Sequence, residues 1–181
     1  MSKVILITAF IFAASTALAG KFSLTSDSIK AGGNIATEQV FNGFGCSGKN
    51  ISPDLKWSGE PKDTKYFALT MYDPDAPTGS GWWHWIVYNI PAATHELKAN
   101  AGSGGDLPSG AAQAKTDFGK PEYGGPCPPA GDKPHHYVFT LTALKNKIDA
   151  DQEATAAYIG FNINSNKIGA TKLTATYGRS K

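Results

Sequence analysis

Two stretches of the chain carry most of the side chains that could do chemistry. The first is an Asp-Pro-Asp-Ala-Pro loop that begins at Asp73 and leads into a tryptophan-rich segment containing His84. The second is a Gly- and Pro-rich stretch that ends at His135 and Tyr137. Imidazole and phenol groups donate hydrogen bonds to anionic oxygens, and a carboxylate accepts bonds from an imidazole or an ammonium group. These residues are therefore suited to binding an anion or zwitterion, or to acid–base catalysis.

The alternation of side chains along strands decides which of these groups can meet. In a strand predicted over Trp82 to Ile90, alternation places His84 on one face together with Trp82, Ile86 and Tyr88. The tryptophans of this strand alternate across both faces, so we expect them to pack in the core rather than to form a ligand cage.

The second strand, predicted over His136 to Leu144, begins beside the other reactive side chains. Alternation puts His135 and Tyr137 on one face and His136 on the other. If this strand lies near the first, then His84, His135 and Tyr137 converge beside the aspartate-bearing loop. The prolines of both loops would stiffen the rim of such a pocket, because proline fixes its own φ.

Composition limits the fold class and the partners. The 181-residue chain has a formal net charge of +2 and no basic run, so nothing in it favours binding to nucleic acid. Its 20 Gly and 11 Pro favour strands and ordered loops over a helical bundle. The length fits one domain.

Hydrophobic periodicity predicts a mainly β fold of antiparallel sheets with one or two peripheral helices. The clearest strand runs over Tyr66 to Tyr72, where Phe67, Leu69 and Met71 share one face. Further strands are predicted over Lys21 to Ser26, Ile51 to Trp57, Trp82 to Ile90, His136 to Leu144 and Thr171 to Tyr177.

One helix is predicted near the C-terminal end. Asp151 is the expected N-cap, and the helix runs through Phe161. We expect Ala154, Ala157, Tyr158 and Phe161 to lie on one side of it.

The N-terminal residues predict export. Lys3 precedes an apolar run from Val4 to Ala13, and Ala17-Leu18-Ala19 has the small residues of a signal-peptidase site. We expect residues 1–19 to be a signal peptide and residues 20–181 to be a single periplasmic or secreted domain. No later segment is long and apolar enough for a transmembrane helix, so no integral membrane segment is expected after cleavage.

Cys46 and Cys127 are the only cysteines. In an exported protein an even pair predicts a disulfide, although two buried thiols remain an alternative because spacing does not give their separation. Such a bridge would stabilise the fold by about 4 kcal/mol on the chain-entropy account. Neither cysteine lies in a CxxC or CxxH pair, so a metal site at these residues is not expected.

The two reactive stretches resemble the signature regions of the phosphatidylethanolamine-binding protein (PEBP) family, in its bacterial YbhB/YbcL (Raf kinase inhibitor-like) branch. The resemblance includes the DPDAP loop, the Trp-x-His element and the stretch from Gly-x-x-Pro-Pro to His-x-Tyr, and it extends more loosely over Phe22 to Tyr177. It implies an antiparallel β-sandwich of PEBP type and a pocket for phosphate, phospholipid headgroups or similar anions.

The resemblance also implies which residues bind the ligand. They are Asp73, Ala76, Pro77, Trp82, His84, Gly125, Pro128, Pro129, His135 and Tyr137. Cys127 departs from the eukaryotic pattern, so here the pocket loop would be tied to Cys46.

These observations predict an exported, non-enzymatic protein that binds a small phosphorylated or otherwise anionic or zwitterionic ligand. Regulation of a partner protein is a further expectation. No cofactor and no metal are expected. Asp73 is expected either to keep a histidine protonated or to accept an ammonium group, and Asp75 is expected mainly to cap its own turn.

Two alternatives from other classes stay open. With His84 or His135 as a base beside an aspartate, the same pocket would make a phosphoester or ester hydrolase. Alternatively, the Gly-rich loop over residues 102–105 would recognise a protein partner.

Overall fold

The computed structural model describes residues 20–151 and 153–181, and the predicted signal peptide over residues 1–19 lies outside this part. The elements in chain order are β1 (Ser23–Thr25), β2 (Asn42–Gly43), β3 (Cys46–Ser47), β4 (Leu55–Ser58), β5 (Tyr66–Asp73), β6 (Trp82–Pro91), β7 (Glu96–Leu97), β8 (Ala112–Gln113), β9 (His135–Leu144), α1 (Ala156–Asn166) and β10 (Lys167–Tyr177).

The strands form antiparallel sheets, which confirms the predicted fold class. A five-stranded sheet has the order β10-β9-β5-β6-β8, and a three-stranded sheet has the order β1-β4-β7. Strands β2 and β3 form a separate hairpin. Because β5 lies between β6 and β9, the two segments with the reactive side chains are both hydrogen-bonded to the same central strand.

The main core lies between the two larger sheets. Phe67, Leu69 and Met71 on β5 are fully buried there, as their alternation predicted. They share one cluster with Leu55 and Trp57 of the three-stranded sheet. Burial of these apolar faces against each other accounts for the sandwich.

Helix α1 packs on the other face of the five-stranded sheet, and its predicted start and apolar side are both wrong. Thr155 is the N-cap, and its hydroxyl accepts a hydrogen bond from the Tyr158 amide. Asp151 instead accepts from the Glu153 amide in the preceding turn. The helix buries Ala156, Ile159 and Ile163, whereas Phe161 is 72% exposed. The three buried residues are spaced i, i+3 and i+7 and form one apolar stripe, which lies on a different side of the helix from the predicted one.

The prediction that Ile86 and Tyr88 share a face of β6 with His84 is wrong. Its pairing with β5 shifts between Tyr72–Trp83 and Met71–Trp85, so His84 has no partner on β5. This β-bulge inserts one residue and reverses the alternation beyond it. Ile86 and Tyr88 consequently pack in the helix-side cluster, away from the face of His84.

No helix in the described residues is long and apolar enough to cross a membrane.

Candidate functional site

A cavity of about 150 Å³ lies at one end of the five-stranded sheet. Nine of the ten predicted ligand-binding residues line it, namely Asp73, Ala76, Pro77, Trp82, His84, Pro128, Pro129, His135 and Tyr137. The topology explains this convergence. Because the sheet is antiparallel, the last residue of β5, Asp73, meets the first residues of β6 and β9.

Asp73 is the polar centre of the cavity floor and is only 3% exposed. One carboxylate oxygen accepts from the Asp75 amide at 2.8 Å. The other accepts from Nδ1 of His135, also at 2.8 Å. Nε2 of His135 lies 3.7 Å from a carboxylate oxygen of Asp132. Asp73 thus fixes both its own loop and the ring of His135.

Asp75 lies outside the cavity, and the expectation that it mainly caps its own turn is wrong. Its carboxylate accepts from both the backbone amide and Nδ1 of His136, each at 2.7 Å. These bonds, the backbone one above all, lower the pKa of the Asp75 carboxyl. The chain therefore has two adjacent Asp–His pairs, one inside the pocket and one in solvent.

His84 is buried and bonded to the backbone. Its Nδ1 lies 2.7 Å from the carbonyl oxygen of Gly124, which can only accept, so Nδ1 carries the proton. Burial lowers the pKa of His84 to about 4, so the ring is neutral at pH 7. The other ring nitrogen, Nε2, is then a hydrogen-bond acceptor on a cavity-lining side chain.

Tyr137 completes the floor with a polar group that has no partner. Its hydroxyl is buried and makes no hydrogen bond within the described residues. Burial raises the pKa of Tyr137, so the phenol keeps its proton and remains a donor. The edge-to-face packing of Tyr137 and His84, with ring centroids 5.1 Å apart, fixes both rings.

Gly125 is the predicted binding residue that does not line the cavity. Its amide donates to the Asn50 side chain at 2.8 Å. A Cβ at this position would lie 2.1 Å from the carbonyl oxygen of Gln39. Glycine is therefore required here because two backbone segments approach closely behind the pocket wall.

Four lining residues were not predicted: Phe44, Thr78, Phe118 and Cys127. Thr78 and Cys127 lie inside the two predicted loops, so loop membership was a usable signal for them. Phe44 is brought to the cavity by the Cys46–Cys127 disulfide, which confirms the predicted pairing and has a Cα–Cα distance of 6.0 Å. No pattern in the sequence marked Phe118.

The lining residues contain neither lysine nor arginine. Any anion in the cavity would therefore meet the phenol of Tyr137 and the histidine rings rather than a lysine or an arginine. The described residues also contain no group of three or more His, Cys, Asp or Glu side chains arranged to hold a metal ion.

Comparison with known proteins identifies the family. The family model described as phosphatidylethanolamine-binding protein matches residues 25–178. The YbcL protein of Escherichia coli is 51% identical over 180 residues, covering 98% of each chain. The YbhB protein of the same organism is 46% identical over 156 residues, covering 85% of this chain and 98% of that protein.

A solved structure supports the same assignment. The crystal structure of Escherichia coli YbcL, described as a new member of the mammalian PEBP family, superposes with a TM-score of 0.86 at 52% identity. The match covers 88% of this chain and 99% of that one. The chain belongs to the phosphatidylethanolamine-binding protein family.

Proposed function

We propose that the cavity binds a phosphate-type anion, either free or as part of a phosphorylated headgroup, and that the protein acts as a ligand-binding protein outside the cytoplasm. The observation that carries the proposal is the hydroxyl of Tyr137, a buried donor without a partner at the cavity floor. Buried polar groups are nearly always paired, and a ligand oxygen would supply the missing acceptor.

The neutral state of His84 defines which form of the anion fits best. Tyr137 offers a donor, whereas Nε2 of His84 offers an acceptor. A phosphate that still carries one proton satisfies both, since its P–OH donates to His84 while another oxygen accepts from Tyr137. The second ionisation of a phosphomonoester lies near pH 6, so binding should tighten as the pH falls from 7 to 6.

Asp73 has a supporting role in this proposal. Each of its oxygens accepts a hydrogen bond from the protein, and in this proposal its role is to orient His135 rather than to receive an ammonium group. A zwitterion such as phosphoethanolamine should then bind about as tightly as phosphate. Clearly tighter binding of phosphoethanolamine that disappears in Asp73→Asn would instead assign Asp73 to the ammonium group.

Isothermal titration with inorganic phosphate tests the proposal. Loss of a hydrogen bond to a charged group is worth about 1.5 to 3 kcal/mol, so Tyr137→Phe should weaken phosphate binding by about 10-fold or more. Tyr72→Phe is the matched control, because its hydroxyl donates to the Ser80 carbonyl and does not line the cavity. Equal affinity of Tyr137→Phe and the wild type for phosphate would refute the proposal.

One observation also favours a second candidate, a phosphoester or ester hydrolase. The buried bond from His135 to Asp73 resembles a base held in place by a carboxylate. Assays with chromogenic phosphate and acyl esters separate the candidates. Turnover that is lost in His84→Ala or His135→Ala would establish an enzyme, whereas absent turnover with retained phosphate binding supports the ligand-binding protein.

The disulfide supports a location in an oxidising compartment, the periplasm or the exterior. Fractionation of cells expressing the full chain, with intact mass measurement, tests this. We expect the protein outside the cytoplasm with residues 1–19 removed.

A further inference from the structure

The hairpin at the cavity mouth holds an aromatic residue in an unfavourable backbone conformation. Phe44 and Gly45 form the two-residue loop between β2 and β3, and their φ angles are 52° and 79°. A loop with two positive φ values favours Asn, Asp or Gly at its first position. A bulky residue at such a position costs conformational energy, and strain of this kind is concentrated at functional sites.

Phe44 is largely exposed to solvent although it is part of the cavity lining. Its surface is 70% exposed, yet it lines the same cavity as Asp73 and Tyr137. Its ring stacks on Phe118, with centroids 6.0 Å apart and an interplanar angle of 15°. Phe118 in turn packs against His84 at 5.3 Å. A continuous aromatic surface therefore runs from the solvent to the cavity floor.

Two links hold this hairpin against the cavity wall. Cys46, at the start of β3, is bonded to Cys127, which lines the cavity. Arg179 makes a second bridge, because its guanidinium donates to the carbonyl oxygens of both Gly45 and Pro128, at 2.9 and 2.8 Å. The backbone that carries Phe44 is thus held at the mouth by two cross-links.

We propose that Phe44 is a specificity-determining residue that binds an apolar substituent carried by the anionic ligand. The inference rests on the proposed anion site and narrows its ligand class to phosphate esters with an aryl or alkyl group. The cavity volume of about 150 Å³ is below the roughly 300 to 1,000 Å³ of ordinary small-molecule pockets, so it holds only the anionic head. The substituent must then leave through the mouth, where the exposed ring of Phe44 would cover it.

The test compares phenyl phosphate with inorganic phosphate by isothermal titration. We expect the wild type to bind phenyl phosphate about 10-fold more tightly, a factor typical of one aromatic contact with buried area. In Phe44→Asn the ratio of the two affinities should fall to about 1 or 2. Asparagine suits a positive φ, so this variant should fold, and Phe44→Tyr should retain the wild-type ratio because it keeps the ring.

The outcomes separate this inference from the function on which it rests. If phosphate and phenyl phosphate bind the wild type equally, or if Phe44→Asn keeps the 10-fold ratio, the role of Phe44 is refuted while the anion site stands. If neither ligand binds, or if binding is unaffected in Tyr137→Phe, the anion site itself is refuted, and the inference with it.

The ester could come from a soluble compound or from a lipid headgroup. Co-sedimentation with vesicles that contain phosphatidic acid, whose headgroup is a phosphomonoester, distinguishes the two sources. Sedimentation that phenyl phosphate competes away would assign the lipid, whereas tight binding of phenyl phosphate without sedimentation would assign a soluble ester. Sedimentation that persists in the presence of phenyl phosphate and is equal in Phe44→Asn would contradict the role of Phe44 toward lipids.

Discussion

The floor and the mouth of the cavity are built in different ways. The floor consists of buried side chains on β5, β6 and β9, and their positions follow from strand pairing and mutual hydrogen bonds. The mouth consists of the β2–β3 hairpin and proline-rich loops, which a disulfide and Arg179 hold in place. Strand register thus fixes the groups that would bind the anion, whereas cross-links fix the groups that would select its substituent.

The difference has a consequence for what each region tolerates. Where the floor groups are paired, as His135 is with Asp73, removing one partner leaves a buried polar group unsatisfied, which costs about 1 to 3 kcal/mol. Removing an exposed side chain at the mouth leaves no buried polar group without a partner. Changes at the floor should therefore affect folding together with binding, whereas changes in the exposed ring should affect ligand choice with little cost to the fold.

Removing the disulfide should have the largest effect. Cys46 and Cys127 are 81 residues apart, and closing a loop of that length stabilises the fold by about 4 kcal/mol on the chain-entropy account. We expect Cys46→Ser with Cys127→Ser to lower the free energy of unfolding by this amount in urea titrations. Reduction of the wild type is the matched control and should give the same shift. A loss below about 1 kcal/mol would show that the two loops hold each other without the bond.

The two Asp–His pairs offer the next test. His135 and Asp73 are 6% and 4% exposed at their side chains, whereas His136 and Asp75 are 57% and 42% exposed. Removing one partner of a buried pair typically costs 3 kcal/mol or more, whereas exposed pairs contribute at most about 1 kcal/mol. Asp73→Ala should therefore lower the free energy of unfolding by about 3 kcal/mol, and Asp75→Ala by less than about 1 kcal/mol. Similar losses in both variants would show that the buried pair at the floor contributes no more to stability than the exposed pair.

The buried ring of His84 predicts a pH dependence. Its pKa falls from 6.5 to about 4 on folding, because burial disfavours the charged form. Below pH 6.5 the unfolded chain therefore binds a proton that the folded chain rejects, so stability decreases as the pH falls from 6.5 toward 4. Between pH 7 and pH 5 this amounts to about 2 kcal/mol.

His84→Gln isolates this contribution. Glutamine does not titrate, so the variant should lose about 2 kcal/mol less than the wild type between pH 7 and pH 5 in urea unfolding. Equal losses in the two proteins would show that the ring is not held neutral. The comparison cancels the carboxylates that both proteins share.

The floor and the proline-rich loops could be predicted from the sequence, whereas the β2–β3 hairpin at the mouth could not. Alternation and the family motifs identified Asp73, His84 and Tyr137, because the two-residue period of a strand can be recognised from the order of the residues. The bulge that turns Ile86 away from His84 was missed, because the extra residue appears only in the pairing with β5. Phe44 was missed for a related reason, since its position depends on a cross-link between segments far apart in sequence.

Relieving the strain at Phe44 should have the smallest effect, and its sign is the informative part. A residue other than Gly, Asn or Asp in the left-handed region costs about 1 to 2 kcal/mol, and Asn avoids most of that cost. Phe44→Asn also loses the ring contacts with Phe41 and Phe118, which offset part of the gain. We therefore expect a net stabilisation of about 0.5 kcal/mol, measured as a higher urea midpoint with an unchanged slope.

Phe44→Ala is the control, because it loses the same contacts without suiting a positive φ, and it should be less stable than the wild type. A destabilised Phe44→Asn would mean that the ring supports the fold of the hairpin, and the argument that phenylalanine is there for the ligand would lose its basis.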